Sequence, residues 1–188
     1  MSTDNQAPIK APIKNLYQGK FLRLSQNGRW EYVERVNSTG AAFILAITPA
    51  REILLVEQYR VPLQARTIEL PAGIIGDEGH GGESVIASAL RELEEETGYR
   101  AARAELLLTG PVAPGLTSEL LHFVRAHDLT RVHAGGGVDG ENITVHLVPL
   151  AQARSWLARK SAEGLLVEPR IYAGMYFATL NSGVESEL

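Results

Sequence analysis

Glu92, Glu94, Glu95 and Glu96 crowd the last turns of a helix that the residue spacing predicts from about Ser84 to Thr97, stopped at Gly98. This is the unfavourable end of a helix for anions. The backbone dipole leaves partial negative charge there, and like charges one turn apart repel by roughly 0.2–0.5 kcal/mol per pair. On a helical period Ile86, Ala89, Leu90, Leu93 and Thr97 form an apolar side, while Glu92, Glu95 and Glu96 share a different arc. Three carboxylates so placed can converge on a hard divalent cation such as Mg²⁺, which favours oxygen ligands. The helix alone also admits a solvated acidic face, with Arg91 relieving the repulsion from four residues before Glu95.

A second acidic feature is Gly135-Gly136-Gly137-Val138-Asp139-Gly140-Glu141-Asn142, where glycines free the backbone around two carboxylates that can then move. The alternatives are an ordinary flexible hairpin with solvated acids and a mobile loop with a chemical role. Arg60 is open to two readings: an ion pair with Glu57 or Glu69 at a strand end, or a phosphate contact. Trp30 and Tyr32 alternate on a short strand and could stack on a base or pack a sheet. His80, His122, His127, His133 and His146 show no metal-ligand spacing, and Ser118 lacks the setting of a serine nucleophile.

The elements that must position these groups read as follows. Phe21 to Ser25 and Arg29 to Val36 form a hairpin turning at Gln26-Asn27-Gly28. Ala41 to Ile47, Glu52 to Tyr59 and Thr67 to Leu70 are strands ahead of the acidic helix. Ala104 to Leu108, Leu120 to Ala126 and Ile143 to Val148 are strands after it. Ala151 to Ala162 and Pro169 to Leu180 have helical spacing. The fold class is α/β, a mixed sheet with helices on its faces.

The segment Arg91-Glu92-Leu93-Glu94-Glu95-Glu96-Thr97-Gly98-Tyr99 fits R-E-U-x-E-E-x-G-U, U being bulky and apolar, and Glu83 stands eight positions before Arg91. It resembles the Nudix box. The stretch between Gly73 and Glu83 is longer than the box has, and residues 74–82, including Asp77, Glu78 and His80, read as a glycine-rich loop that leaves the helix in register. Val56-Glu57-Gln58-Tyr59-Arg60 and Glu69-Leu70-Pro71-Ala72-Gly73 are similar to the ADP-ribose pyrophosphatase branch of the Nudix hydrolase family.

The resemblance implies a Nudix domain over 41–188, an N-terminal antiparallel β module over 17–40 after a flexible tail at 1–16, and a homodimer that exchanges the module. It implies Mg²⁺, or Mn²⁺ in its place, held by Glu92, Glu95, Glu96 and the carbonyl of Ala72, with Arg91 orienting the glutamates. Glu141 is the implied proton acceptor, with Asp139 or Glu95 in reserve, and Arg60 and Glu119 are the implied substrate contacts, to which Trp30 is added from its place on the strand alone. The implied reaction splits the pyrophosphate of ADP-ribose or a related nucleoside diphosphate sugar. GDP-mannose-type hydrolysis and a non-catalytic nucleotide sensor are the competing readings.

Composition bounds all of this. The chain has 188 residues, 45% of them hydrophobic, enough for one substantial core. Net charge is −4, so no basic field holds a long nucleic acid. The absence of cysteine fits the cytoplasm, and neither a membrane span nor a secretory leader is read from the sequence.

Overall fold

The computed structural model describes residues 11–38, 40–76, 81–138 and 140–180. Asp77, Glu78, His80 and Asp139 therefore lie outside the described residues.

Strand β4 (Gly40–Ala46) shows how the sequence builds the centre of the molecule. All seven of its residues are buried, as expected of a strand covered on both faces. Its side chains alternate: Ala41, Phe43 and Leu45 enter one core, with Leu157 and Ile171 from two C-terminal helices. Ala42, Ile44 and Ala46 enter the other, with Ala89 and Leu93 of the acidic helix.

Around β4 the strands divide into two four-stranded sheets. One has the order β7-β4-β9-β8, where β7 is Ala72–Ile74, β8 Tyr99–Pro111 and β9 Leu120–Arg131, with β4 and β9 parallel. The other has the order β10-β5-β6-β11, where β5 is Glu52–Arg60, β6 Ala65–Glu69, β10 Thr144–Pro149 and β11 Leu166–Val167. Helices α1 (Val85–Thr97), α2 (Ala153–Ala162) and α3 (Arg170–Thr179) cover them. The mixed α/β character follows the sequence reading, but the strands form two sheets where one was expected. Between β4 and β5 the chain turns through Arg51, which is left-handed, and the isolated bridge Ile47↔Ile53 and the Thr48 N–H bond to the Glu52 carbonyl close this turn.

The N-terminal hairpin is β2 (Leu22–Asn27) and β3 (Trp30–Arg35), and a further strand, β1 (Lys14–Gln18), pairs with β2. Residues 14–16 thus belong to a sheet, which corrects the reading of 1–16 as tail. This module joins the rest of the chain where Val33 N–H donates to the carbonyl of Leu116 at 2.9 Å.

Residues 74–82 are not all loop either. Ile74 ends β7, and Ile75 is buried, its N–H bonded to the Gly40 carbonyl at 3.0 Å and its carbonyl accepting Ser38 Oγ at 2.8 Å. Two consecutive isoleucines are better accommodated against a core than in water. None of the described helices is long and apolar enough to cross a membrane.

Candidate active site

Helix α1 is fixed by local chemistry at both ends. Ser84 caps its start, accepting the Ala87 N–H at 3.2 Å, and Gly98 ends it with φ 74°. Leu93, fully buried, anchors the apolar side and sets the rotation that turns the carboxylates toward β7.

Glu96 is the deepest of these carboxylates, only 4% exposed, and its Oε2 accepts the N–H of Ala72 at 3.0 Å. Glu92 lies flat on β7: a Cβ built on Gly73 would stand 1.9 Å from the Glu92 Cδ, so a side chain there would displace the Glu92 carboxylate. Burial pushes the Glu96 carboxyl well above the usual carboxylate range against the pull of the Ala72 N–H, and Glu92 raises it further. Burial likewise raises Glu92 to about 7, although Arg91 draws it down.

Arg91 gathers the acids. It reaches Glu92 Oε1 at 3.0 Å, Glu95 Oε2 at 2.8 Å and Glu83 Oε2 at 3.3 Å. Burial opposes its charge, but these three carboxylates outweigh burial and hold the guanidinium more firmly protonated than usual.

The anionic end of α1 has a second compensation, from the glycine-rich loop. Gly136 N–H donates to the Glu96 carbonyl at 2.8 Å and Gly137 N–H to the Glu95 carbonyl at 3.1 Å. These bonds satisfy carbonyls that a helix end leaves open. Residues 135–137 are thus a cap docked on the helix, a contact that the sequence reading of this segment did not include. Beyond it Glu141 folds back, its Oε2 accepting the Val138 N–H at 3.1 Å.

The outcome is a cavity of about 140 Å³ whose walls include Arg60, Ala72, Glu92, Glu95, Glu96 and Glu141. Residues from β5, β7, α1 and the glycine loop meet there although they are far apart in sequence. Arg91 also borders it. Among the described residues no three acids or histidines already form a closed metal cage, since Arg91 holds Glu92 and Glu95. A divalent cation nevertheless fits this donor set. Buried Glu96 and half-buried Glu92 resist ionisation and share a wall with Glu95, which is the imbalance a hard cation relieves.

A larger cleft of about 510 Å³ opens from the same place, sharing Arg60, Ala72, Gly73 and Ile74. Arg60 is paired, Nε and Nη2 donating to Glu69 Oε1 and Oε2 at 2.7 and 2.6 Å, while Glu57 is taken by Arg66 at 2.6 Å. Glu119 lines this cleft and is bound to Arg35. Trp30, 50% exposed, lies elsewhere, in a separate recess of about 300 Å³ with Tyr32 and Pro114. Within one chain it does not border the carboxylate cavity.

The pairing of Arg60 with Glu69 is one of the partnerships its place at a strand end offered, whereas sequence reasoning missed Arg35 and Arg170, whose guanidinium carbon sits 3.9 Å from the centre of the Phe43 ring. Arg35 and Arg170 have no local pattern that marks them.

Known proteins agree with this architecture. The chain is 35% identical over 143 residues to a methanol dehydrogenase activator of Bacillus methanolicus, covering 73% of this chain and 75% of that one. It is 38% identical over 123 residues to an ADP-ribose pyrophosphatase of Bacillus subtilis (strain 168), covering 62% and 64%. It thus spans just under two thirds of the latter's length. A crystal structure of an ADP compounds hydrolase has the same fold, with a TM-score of 0.66 at 21% identity over 89% of each chain. The family description of the NUDIX domain matches residues 38–168, and the chain belongs to the Nudix hydrolase family.

Proposed function

We propose that this protein hydrolyses the pyrophosphate bond of ADP-ribose or a related nucleoside diphosphate sugar, with Mg²⁺ as the working cation and Mn²⁺ able to replace it. The observation that carries this reading is the cavity in which Glu92, Glu95, Glu96 and Glu141 face Arg60. A relative named for ADP-ribose hydrolysis supports the substrate class.

In this reading Glu92, Glu95, Glu96 and the Ala72 carbonyl would hold the cation, which when bound would supply the positive charge that lets a diphosphate enter an acid-lined space. Arg91 keeps the glutamates in place through paired hydrogen bonds. Arg60 meets a phosphate oxygen: Glu69 occupies its Nε and Nη2, and its Nη1 has no hydrogen-bond partner among the described residues. Glu141 accepts the proton of the attacking water as the new P–O bond forms and the bridging P–O bond breaks. The products are a nucleoside monophosphate and a sugar phosphate. Glu119 contacts substrate in the larger cleft.

The same reading includes a homodimer that exchanges the N-terminal module, so that Trp30 of one subunit completes the cleft of the other. Support comes from exposed apolar side chains on that module, with Tyr17 70% and Phe21 62% exposed. A cytoplasmic location accompanies it, supported by a cysteine-free sequence.

The test is a panel of nucleotide sugars, ADP-ribose and GDP-mannose among them, incubated with and without Mg²⁺ and resolved chromatographically. Cation-dependent release of a nucleoside monophosphate and a sugar phosphate supports the function. No cleavage of any member refutes it and favours a nucleotide sensor.

A further inference from the structure

The 510 Å³ cleft has an unusual wall. Three arginines line it, and each is matched by a glutamate: Arg35 with Glu119, Arg60 with Glu69, and Arg170 with Glu168. A surface that alternates donor and acceptor, with no uncompensated charge, suits hydroxyl groups, each of which donates and accepts. It does not suit a further phosphate, which would face the carboxylates as well as the guanidiniums.

The Arg170 end is built with the most care. The guanidinium covers Phe43, its carbon 3.9 Å from the ring centre, and Nε donates to Glu168 Oε1 at 2.5 Å. The other Glu168 oxygen accepts the Arg170 backbone N–H at 3.0 Å, which fixes the start of α3. Stacked and tethered in this way, the planar group is held in place, and its two terminal nitrogens have no hydrogen-bond partner among the described residues. Phe43 is the sole aromatic residue among the described lining of this cleft, and Arg170 already covers its ring. The cleft therefore offers a nucleobase no bare aromatic face, whereas Trp30 and Tyr32 offer such faces in a separate recess.

We infer that Arg170, held by Phe43 and Glu168, is a specificity-determining residue that binds the hydroxyl groups of the sugar attached to the diphosphate, and that the base is bound elsewhere. This rests on the proposed hydrolysis of nucleoside diphosphate sugars and adds which half of the substrate occupies the cleft.

The experiment compares the full-length protein with Arg170→Ala and Arg170→Lys, after thermal melts establish that each is folded. Steady-state kinetics on ADP-ribose should show KM raised about tenfold in both, with kcat lowered less than about threefold, since a planar donor pair is lost and a lysine cannot replace it. Calorimetry with Mg²⁺ present, on these two products, should show ribose 5-phosphate binding weakened in both variants and AMP binding unchanged. Unaltered KM and unaltered ribose 5-phosphate binding would overturn the inference. Weakened AMP binding instead would place the nucleoside in the cleft and also overturn it. Full recovery in Arg170→Lys would show that a bare charge suffices, against recognition by the planar fork. Failure of the wild-type protein to cleave any nucleotide sugar is a different result and counts against the proposed hydrolysis itself.

Discussion

The backbone N–H of Gly136 lies 2.8 Å from the carbonyl oxygen of Glu96, so the loop that carries Glu141 is docked on the helix end that carries the deepest carboxylate. Position is thereby transmitted between the two through main-chain bonds. Gly135 makes the docking possible: its φ is 75°, and a Cβ there would stand 2.4 Å from the Thr97 carbonyl carbon.

Gly135→Ala should therefore cost about 1–3 kcal/mol of stability, from strain and lost cap bonds together. It should also lower kcat, because Glu141 loses its placement. Urea unfolding and steady-state kinetics on the same preparation check both, and wild-type values in each would mean that the docking is incidental.

Glu141→Gln preserves size and much of the hydrogen bonding to Val138 while removing the basic carboxylate. If Glu141 takes the proton, kcat should fall by roughly a hundredfold or more with little change in binding. An unchanged kcat would pass the role to Glu95, or to Asp139, which lies outside the described residues.

The pair Arg60–Glu69 predicts acid sensitivity. Burial raises the Glu69 carboxyl, but Arg60 and Thr67 outweigh burial and hold it below its ordinary value of 4.5. Above 4.5 both folded and unfolded chains are ionised here, and the stabilisation is complete. As pH falls below that value the unfolded chain binds the proton first, so stability declines until the folded pKa is passed. Glu69→Gln should flatten this part of the pH–stability curve and cost about 1–2 kcal/mol at neutral pH, Arg60 being partly solvated. Thermal melts from pH 3 to about 7 give the comparison, and parallel curves for the two proteins would contradict it.

The N-terminal module is predicted to be shared between two subunits. Light scattering at micromolar protein should give twice the chain mass, and deletion of the module should remove both dimerisation and tight substrate binding. A fully active monomer would remove the exchanged module and the shared cleft together.

Much of this was legible in the sequence where the governing interactions are local. Helix α1 announces itself through its periodic apolar side, Ser84 and Gly98, and β4 through an unbroken apolar run. Strand β1 was not legible, because Lys14-Asn15-Leu16-Tyr17-Gln18 is exposed throughout and lacks the alternation of a half-buried strand. Strands β7 and β11, three and two residues long, are too short for any period. The helical carboxylates were readable from spacing. Their partners were not: Gly136 and Gly137 bind main-chain carbonyls, a group every residue carries, and Arg170 reaches Phe43 only because β4 and α3 share a core.

The most direct test of the account is the hydrolysis rate of Glu96→Gln on the best nucleotide sugar at saturating Mg²⁺. Glu96 is buried against the Ala72 N–H, which leaves it the carboxylate least able to be replaced by a neighbour. The account predicts a folded protein whose turnover is lower by about a hundredfold or more, the scale of losing a strong electrostatic contact in catalysis. Its metal-free form should be at least as stable as wild type, since a neutral amide takes the place of a buried carboxyl whose ionised form burial and Glu92 disfavour. Near-normal turnover in the folded variant would contradict the assignment of this cavity as the site of a cation-dependent hydrolysis.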